Sequence, residues 1–276
     1  MLGMKSQAQQ HQTIQDFGEQ WQWHRDNSGY YGSVALLEDI LGPLLSLKTL
    51  EGAKVAEIGC GTGRISTMLL EAGASSVTGV EPSAAGEVCL DNLQRWGDRF
   101  QLLRTEGQNL PAGRYDLVLS IGVIHHIPDP LPVLRAMRAS LRPGGVCLIW
   151  VYGKEGNQAY LLVAKILRFF STKIPHRWLV YFCWGLWVFA RLYGTLACRI
   201  PFLPLHRYMK QFFMKTTPDK QHLIIYDQLN PTFAKYYRRE EAEELLREAG
   251  FQAVESNHRH DYSWTVKGTM PATKCS

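Results

Sequence analysis

The sequence VAEIGCGTGR, residues 55–64, decides what the first half of the chain can be. A short apolar run that contains Glu57 leads into three alternating glycines, Gly59, Gly61 and Gly63. Glycines let the backbone turn sharply and approach a ligand closely, and the amides of a helix that begins there point at that ligand. The stretch therefore predicts a strand, a ligand-binding turn and a helix, which is how a nucleoside-binding α/β fold begins.

The spacing of these glycines indicates which ligand is bound. A dinucleotide site uses G-x-G-x-x-G, so that a pyrophosphate can lie at the N-terminus of the helix. Here the glycines alternate, and Glu57 stands just ahead of them. A carboxylate at that place repels a phosphate but pairs with an ammonium group. S-adenosylmethionine (SAM) carries an ammonium and no phosphate, so we expect SAM rather than a nicotinamide dinucleotide.

A second acid, Glu81, ends the next predicted strand, eighteen residues after Gly63. A carboxylate at that strand end can accept hydrogen bonds from both hydroxyls of a ribose, as in other nucleotide-binding βαβ units. The alternative is a surface glutamate after a strand. The glycine turn upstream favours the ribose interpretation.

Short apolar runs alternate with helical patterns from Lys54 to Trp150, which is typical of βα units around a parallel sheet. The predicted strands are Lys54–Ile58, Ser76–Val80, Phe100–Leu103, Tyr115–Ile121 and Val146–Val151. The predicted helices lie at about Gly63–Ala72, Ala84–Trp96 and Leu131–Leu141. The fold class is therefore α/β, with a Rossmann-like sheet.

The alternation stops after Tyr152, and a stretch rich in Trp, Tyr, Phe, Leu and Arg follows, which indicates a helical insertion after the fifth strand. A charged helix at 238–250 then precedes two strands, Phe251–Ser256 and Tyr262–Val266, joined by the polar stretch Asn257–Asp261. The predicted domains are an N-terminal helical cap (1–50), a SAM-binding core (51–153), an insertion that acts as acceptor lid (154–235), a C-terminal completion of the core sheet (236–268) and a tail (269–276).

Five motifs in consecutive order resemble one family. They are VAEIGCGTGR, the acid in GVEP, EGQNLP, YDLVLSIGVIHHIPDP and LRPGGV, between about Lys54 and Val151. This pattern is similar to that of the class I SAM-dependent methyltransferases, specifically the small-molecule group with a His-His pair after the fourth strand. The resemblance implies a seven-stranded sheet whose last strand is antiparallel, with SAM lying across the carboxyl ends of the strands.

The same resemblance implies roles for individual residues. Glu57, Gly59 and Gly61 would hold the amino-acid moiety of SAM, and Glu81 the ribose. The adenine would lie against Glu106 and Gly107, where Glu106 replaces the more usual aspartate. The predicted cofactor-binding set also includes Gly63 and Ser120.

His125 and His126 follow the fourth strand, where a side chain can reach the methyl donor. An imidazole with a pKa near 6.5 can take a proton from a hydroxyl or an amine as the methyl moves. The alternative is that one histidine packs locally and shapes the pocket. We expect no metal site, because no third ligand follows at suitable spacing.

Polar residues in the insertion predict the acceptor pocket. Asp227 is a candidate catalytic residue. Tyr226, Asn230, His206 and Arg207 are candidate substrate-binding residues. The alternative for this stretch is a turn initiated by Asn230 and the following proline.

Aromatic residues before the core, in the stretch Phe17–Trp23, have two interpretations. In similar enzymes such residues close over SAM. They can equally be the packing face of an N-terminal helix.

The net charge of +5 is unevenly distributed, because residues 154–215 hold ten Lys or Arg and a single acid. This aromatic, basic block can pack in the core or roof an apolar or lipid-linked acceptor. It can also touch an anionic membrane surface peripherally or form a homodimer. Its most apolar run, Trp178–Ala190, is thirteen residues long, whereas a bilayer span needs about 20. We therefore expect a buried or interfacial helix.

Nucleic acid is disfavoured as a partner, because bulky apolar residues separate the charges.

The combined expectation is a SAM-dependent methyltransferase. It would act on an oxygen or nitrogen of a small, partly apolar molecule of lipid or glycan type. Six scattered cysteines and the polar first twenty residues favour a cytoplasmic location, where cysteines stay reduced. Peripheral contact with a membrane is the alternative that stays open. The alternatives are a SAM-binding scaffold without catalysis and a nicotinamide-dependent oxidoreductase.

Overall fold

The computed structural model describes residues 2–113, 115–158, 160–162, 176–229 and 233–272. Its strands are β1 (Lys54–Ile58), β2 (Ser76–Val80), β3 (Phe100–Leu103), β4 (Tyr115–Ile121), β5 (Leu141–Tyr152), β6 (Gln252–Arg259) and β7 (Ser263–Thr269). They form one sheet in the order β3-β2-β1-β4-β5-β7-β6. Strands β1 to β5 are parallel, and β7 is antiparallel to both neighbours. The predicted seven-stranded sheet with an antiparallel last strand is confirmed.

Helices cover both faces of this sheet. Those of the core and the cap are α1 (Leu2–Trp23), α2 (Val34–Leu41), α3 (Arg64–Glu71), α4 (Ala85–Leu93) and α5 (Leu131–Ser140). The insertion contributes α6 (His176–Ala197), α7 (His206–Gln211) and α8 (Pro218–Leu229), and α9 (Arg239–Glu248) precedes the last two strands. The described part of the predicted insertion is thus helical.

Alternating side chains of the central strands form two apolar layers. Val55 of β1 packs in one layer, and its neighbour Ala56 packs in the other. In β4, Leu117 and Leu119 face the first layer while Val118 faces the second. Successive residues of a strand point to opposite faces, so a sheet covered on both sides needs apolar residues at every position. This explains why the predicted strands are continuous apolar runs.

The last two strands are longer than predicted. Residues 257–259, expected in a polar connection, belong to β6, where Asn257 pairs with Thr265 and Arg259 with Ser263. The chain then reverses at His260 and Asp261, which both have positive φ, a conformation that Asp and His adopt more readily than most residues. The polar character of 257–259 misled the prediction, because these side chains find partners in the fold: His258 stacks on Trp264, and buried Arg259 pairs with Asp39. Thr269, assigned to the tail, ends β7.

Helices α6 and α8 pack against each other through Leu179 and Cys183 of α6 and Tyr226 and Leu229 of α8. Within the described residues, one helix segment, Trp178–Ala197, is long and apolar enough to cross a membrane by length and composition, and 17% of it is buried. The predicted apolar helix therefore continues beyond Arg191, and most of it is not buried.

Candidate active site

A cavity opens at the carboxyl ends of the parallel strands and holds about 1590 Å³, counted out to its open mouth. Its floor is the turn after β1, and helices α1 and α8 contribute to its walls. In open α/β sheets, ligands bind at this edge. The cavity has a polar half near β1 and β2 and an aromatic half near the end of β5.

The turn after β1 is built from glycines in left-handed conformations. Gly59 has φ +73°, and a Cβ at this position would lie 2.4 Å from Cγ2 of Val123. Gly61 has φ +52°, and a Cβ at this position would lie 3.5 Å from the indole nitrogen of Trp21. Side chains at these two positions would either clash or fill the cavity. The turn thus allows a ligand to approach the backbone closely, as expected.

Glu57 provides a buried carboxylate at the floor of the cavity. Ser66 Oγ donates a hydrogen bond to Glu57 Oε2 at 2.5 Å. Burial raises the pKa of Glu57 to about 7, although Ser66 and Arg64 partly oppose the shift. A cationic ligand would stabilise the ionised form of such a group. The residue present therefore fits the ammonium group of SAM.

Glu81 lies at the end of β2 with its carboxylate held by backbone amides. Gly61 N donates to Oε2 and Ser83 N donates to Oε1, both at 2.9 Å. These bonds fix the carboxylate beside the glycine turn and leave it further acceptor capacity, since each oxygen has two lone pairs. The arrangement fits the hydroxyls of a ribose.

Glu106 and Gly107 also line the cavity. The amides of Gln10 and Gln108 donate to Glu106 Oε2 at 2.5 and 3.0 Å. A Cβ on Gly107 would lie 2.8 Å from Ile58 Cγ2, so glycine lets this segment pack directly on the end of β1. The position suits an adenine ring, as the resemblance implied.

Two predicted cofactor residues, Gly63 and Ser120, are not among the cavity-lining residues. Gly63 has φ +79°, and a Cβ there would lie 2.5 Å from Leu93 Cδ1, so glycine permits α3 and α4 to pack closely. Ser120 is buried and donates a hydrogen bond to Ile58 O at 3.2 Å, which ties β4 to the end of β1. Both residues support the binding turn from behind.

Helix α1 covers the polar half of the cavity. Its residues Gln10, Phe17 and Trp21 line the space, and Gln20 bonds to Asp227 across it. Phe17 and Trp21 therefore lie over the cavity, as one of the two interpretations expected, whereas Trp23 is 76% exposed and lies outside it. This helix also forms part of the wall between the cavity and solvent.

The two histidines occupy different environments. His126 lines the cavity, and its Nδ1 lies 2.8 Å from Phe233 O. A neutral ring that donates Nδ1–H to this carbonyl has its lone pair on Nε2. His125 is fully buried, is not among the lining residues, and its ring centroid lies 3.9 Å from that of Tyr152. His126 is therefore the better candidate for a base, and His125 supports the wall.

Asp227 lines the cavity, as predicted for a catalytic residue. Gln20 Nε2 donates to Asp227 Oδ1 at 2.9 Å, and the Tyr152 hydroxyl lies 3.3 Å from Oδ2. Burial, followed by the charge of Asp227, raises the pKa of Tyr152 well above its usual range. Tyr152 is therefore the proton donor in this pair.

The predicted substrate-binding residues do not lie together at the cavity. Tyr226 is buried between α8 and α6, on the side of α8 away from Asp227, because successive helix residues point about 100° apart. His206 Nδ1 is 2.6 Å from Ala197 O, and exposed Arg207 pairs with Asp261 at 3.3 Å. Asn230 lies outside the described residues.

The sequence analysis missed the aromatic half of the cavity. Trp150 and Tyr152 from β5, Tyr208 from α7 and Tyr262 from the β6–β7 turn line it. The rings of Tyr208 and Tyr262 are 4.4 Å apart and T-shaped. The two residues of β5 could have been found, since they end the strand beside β4. The other two come from different domains of the predicted scheme, Tyr208 from the insertion and Tyr262 from the C-terminal part, and carry no local signal.

Arg259 also lines this half of the cavity and is buried. Its Nε donates to Asp39 Oδ2 at 3.0 Å, and Nη2 donates to the same oxygen at 2.5 Å. A buried charge needs such a partner. With both charges in place, this wall is close to neutral and suits an uncharged ligand. Among the described residues, no group of three or more His, Cys, Asp or Glu could hold a metal ion.

The fold and this cavity define the class of the protein. A sheet of this order, with a glycine turn and two acids, Glu57 and Glu81, at its edge, is the architecture of the class I SAM-dependent methyltransferases. The chain belongs to the methyltransferase-domain family, whose sequence profile matches residues 35–256. SAM is therefore its methyl donor, and the nicotinamide alternative loses its support. The subgroup with the His-His pair stays a prediction.

Parts of the chain are similar in sequence or structure to known proteins. A tRNA U34 carboxymethyltransferase of Desulfotalea psychrophila is 32% identical over 120 residues, which is 42% of this chain and 38% of that protein. A ubiquinone biosynthesis O-methyltransferase of Haemophilus ducreyi is 27% identical over 160 residues, 54% of this chain and 67% of that protein. An O-methyltransferase family protein from Burkholderia thailandensis has a TM-score of 0.54 at 12% identity, covering 87% of this chain and 58% of that one.

These similarities support different conclusions. The match to the tRNA-modifying relative spans less than half of that protein. The structural neighbour is too dissimilar in sequence to show more than the fold. The acceptor must therefore be inferred from this chain's own residues.

Proposed function

We propose that the protein transfers the methyl group of SAM to an oxygen or nitrogen on a small, flat and largely apolar acceptor. The observation that carries the proposal is the continuity of the cavity, whose polar SAM half opens into an aromatic half. Aromatic side chains pair favourably with another ring through stacked or edge contacts. The neutral pair Arg259–Asp39 in the same wall favours an uncharged acceptor.

His126 is the proposed proton acceptor. Its hydrogen bond to Phe233 O fixes the ring and makes Nε2 the basic nitrogen. Phe17 contacts the ring edge-on, at a centroid distance of 4.8 Å, and restricts its rotation. A positioned imidazole contributes to proton removal as the new bond forms.

Asp227 is the proposed anchor for the polar group of the acceptor. Its two oxygens already face Gln20 and Tyr152, so the carboxylate is held in one orientation. A carboxylate can accept more hydrogen bonds than these two, and an acceptor hydroxyl or amine can supply one. Alignment of this kind is the main contribution that a protein makes to a displacement reaction.

When bound, SAM supplies an electrophilic methyl carbon: the acceptor atom forms the new bond to it, the carbon–sulfur bond breaks, and its electron pair stays on sulfur. The proton lost by the acceptor passes to His126 Nε2 and then to solvent. The residues of the chain therefore bind, align and deprotonate the acceptor.

Formation of S-adenosylhomocysteine tests the proposal. The purified chain is supplied with SAM and a panel of phenols, catechols and heteroaromatic amines, each with and without an alkyl tail. We expect turnover with at least one ring-containing acceptor and none with charged sugars. Turnover with tRNA alone would overturn the proposal and make a nucleic acid the acceptor. SAM binding without turnover on any acceptor would favour a SAM-binding scaffold.

A further inference from the structure

Helix α6 exposes an apolar face to solvent. Six large side chains on one side of it are 48–70% exposed: Trp178, Tyr181, Val188, Phe189, Leu192 and Leu196. Their spacing of three, four and seven residues places them in one stripe along the helix. We call this stripe the outer face. Isolated exposed apolar residues are common, but a continuous stripe of this size indicates a partner.

The opposite side of α6 is fixed to the rest of the protein. Leu179 and Cys183 are buried against α8. In addition, Trp187 Nε1 and Arg191 Nη1 both donate to Gln221 Oε1, at 2.9 and 3.3 Å. A helix that crossed a bilayer would have to leave these contacts. The geometry therefore favours a helix that lies along a surface.

The composition of the insertion and the described basic residues beside α6 indicate the chemistry of the partner. In sequence, residues 156–218 contain nine Lys or Arg and no Asp or Glu. Arg199, just after α6, and Lys210, in α7, are exposed. The turn between these helices adds Phe202, which is 86% exposed. An apolar stripe with basic neighbours is complementary to anionic headgroups over acyl chains.

Two other partners fit less well. A second copy would bring two acid-free, basic segments together, which repel each other. RNA would require polar and basic residues on the contact face, because phosphates dominate its binding. The outer face offers Trp, Phe and Leu instead.

We propose that the outer face of α6 docks the protein on an anionic lipid surface, with the helix parallel to the surface. Helices α6 and α8 then lie between lipid and cavity, since Leu229 of α8 packs on α6 while Asp227 of α8 lines the cavity. Each helix with its side chains is about 10 Å across, so the acceptor site lies about 20 Å from the lipid surface. The docked protein would thus hold its cavity on the membrane, where apolar acceptors are concentrated.

Vesicle co-sedimentation of the full chain tests this. Vesicles of phosphatidylcholine alone are compared with vesicles that also contain phosphatidylglycerol, at low and high salt. We expect binding to the anionic vesicles, weakened but not abolished by salt. The double variant F189E/L192E should bind at least about tenfold more weakly, because both side chains are mostly exposed and enter the lipid in the docked state.

Leu90→Glu is the matched control, because it makes the same change at an exposed apolar residue of α4. It should bind vesicles like the wild type, and all variants should bind SAM equally, which verifies their folding. Wild-type protein that remains in the supernatant, or F189E/L192E that sediments fully, overturns the proposal. Two other results, each without vesicle binding, would also overturn the proposal. If F189E/L192E loses a dimer that the wild type forms in sedimentation velocity, the outer face binds a second copy. If the variant loses a tRNA gel shift that the wild type shows, the outer face binds RNA.

Discussion

Gln20 of α1 donates a hydrogen bond to Asp227 of α8 at 2.9 Å, across 207 residues of sequence. The other oxygen of Asp227 faces the Tyr152 hydroxyl at the end of β5. Helix α1 over the polar half of the cavity, helix α8 and the central sheet are therefore joined by one carboxylate. Polar groups inside a largely apolar cavity are stabilising only when all of them are paired. We therefore expect binding of the cofactor and organisation of the proposed acceptor site to be coupled.

Replacement of Asp227 by alanine should lower kcat/KM for the acceptor by tenfold or more, an order of magnitude typical of losing a positioned charged hydrogen bond. The dissociation constant of SAM should change little. Gln20→Ala removes one bond of the same network and should have a smaller effect on turnover. Steady-state kinetics and SAM titration separate the two roles. Equal losses of kcat/KM in the two variants would mean that Asp227 acts only by holding α1 in place. Unchanged turnover in Asp227→Ala would mean that Asp227 does not contact the acceptor.

His126→Asn should lower kcat by a factor of about 10² to 10⁴, the range for loss of a general base. Asparagine can still donate to Phe233 O, so the local wall should persist. SAM affinity should stay near that of the wild type. A variant with full kcat contradicts the proposed role.

Glu57→Gln should stabilise the ligand-free protein at pH 8. The pKa of Glu57 is about 7 in the folded state against 4.5 ordinarily, so the folded state binds a proton that the unfolded chain releases between these values. Stability therefore falls as pH rises towards 7, and above it the ionised group costs on the order of 2–3 kcal/mol. Glutamine avoids this cost. Urea unfolding should show the variant more stable at pH 8 and little different at pH 5. An equal gain at both pH values would mean that ionisation is not the cause.

The same carboxyl should couple SAM binding to proton release. At pH 6 Glu57 is mostly protonated in the ligand-free protein, and an ammonium beside it favours the ionised form. Calorimetry in two buffers of different ionisation enthalpy should therefore detect up to about one proton released on binding at pH 6 and much less at pH 8. The variant Glu57→Gln is the control, because any protons that it exchanges on binding come from the amine of the ligand. Loss of the charge pair should also weaken its SAM binding about 10 to 100 times. Wild-type binding without proton release at pH 6 would place the ammonium elsewhere.

Local patterns were sufficient for the core of the fold and for locating most of the predicted cofactor residues that line the polar half of the cavity. Strands buried on both faces are continuous apolar runs, and left-handed turns require glycine at fixed positions, so both are visible in consecutive residues. The acceptor site is different. Asp227 was predicted because it is a polar residue in an apolar block, whereas Tyr208 and Tyr262 come from separate segments that only tertiary packing brings within 4.4 Å. Tyr226 was misplaced because adjacent helix residues face different partners, and sequence proximity to Asp227 does not reveal which one faces the cavity.

The glycine turn offers a test in which conformation and close approach can be separated. Gly59 and Gly52 both have φ +73°, but a Cβ on Gly59 would lie 2.4 Å from Val123, whereas one on Gly52 would meet no atom of the described residues within 4 Å. Gly52→Ala should therefore lose only the cost of a left-handed alanine, about 1 kcal/mol, and bind SAM normally. Gly59→Ala should lose about 2 kcal/mol or more in urea unfolding, since its Cβ also displaces Val123. Adding Val123→Ala should recover most of the steric part, because it removes both Cγ atoms and leaves only the Cβ of residue 123, at 3.1 Å. If Gly59→Ala is no more destabilising than Gly52→Ala, the contact with Val123 does not constrain the turn.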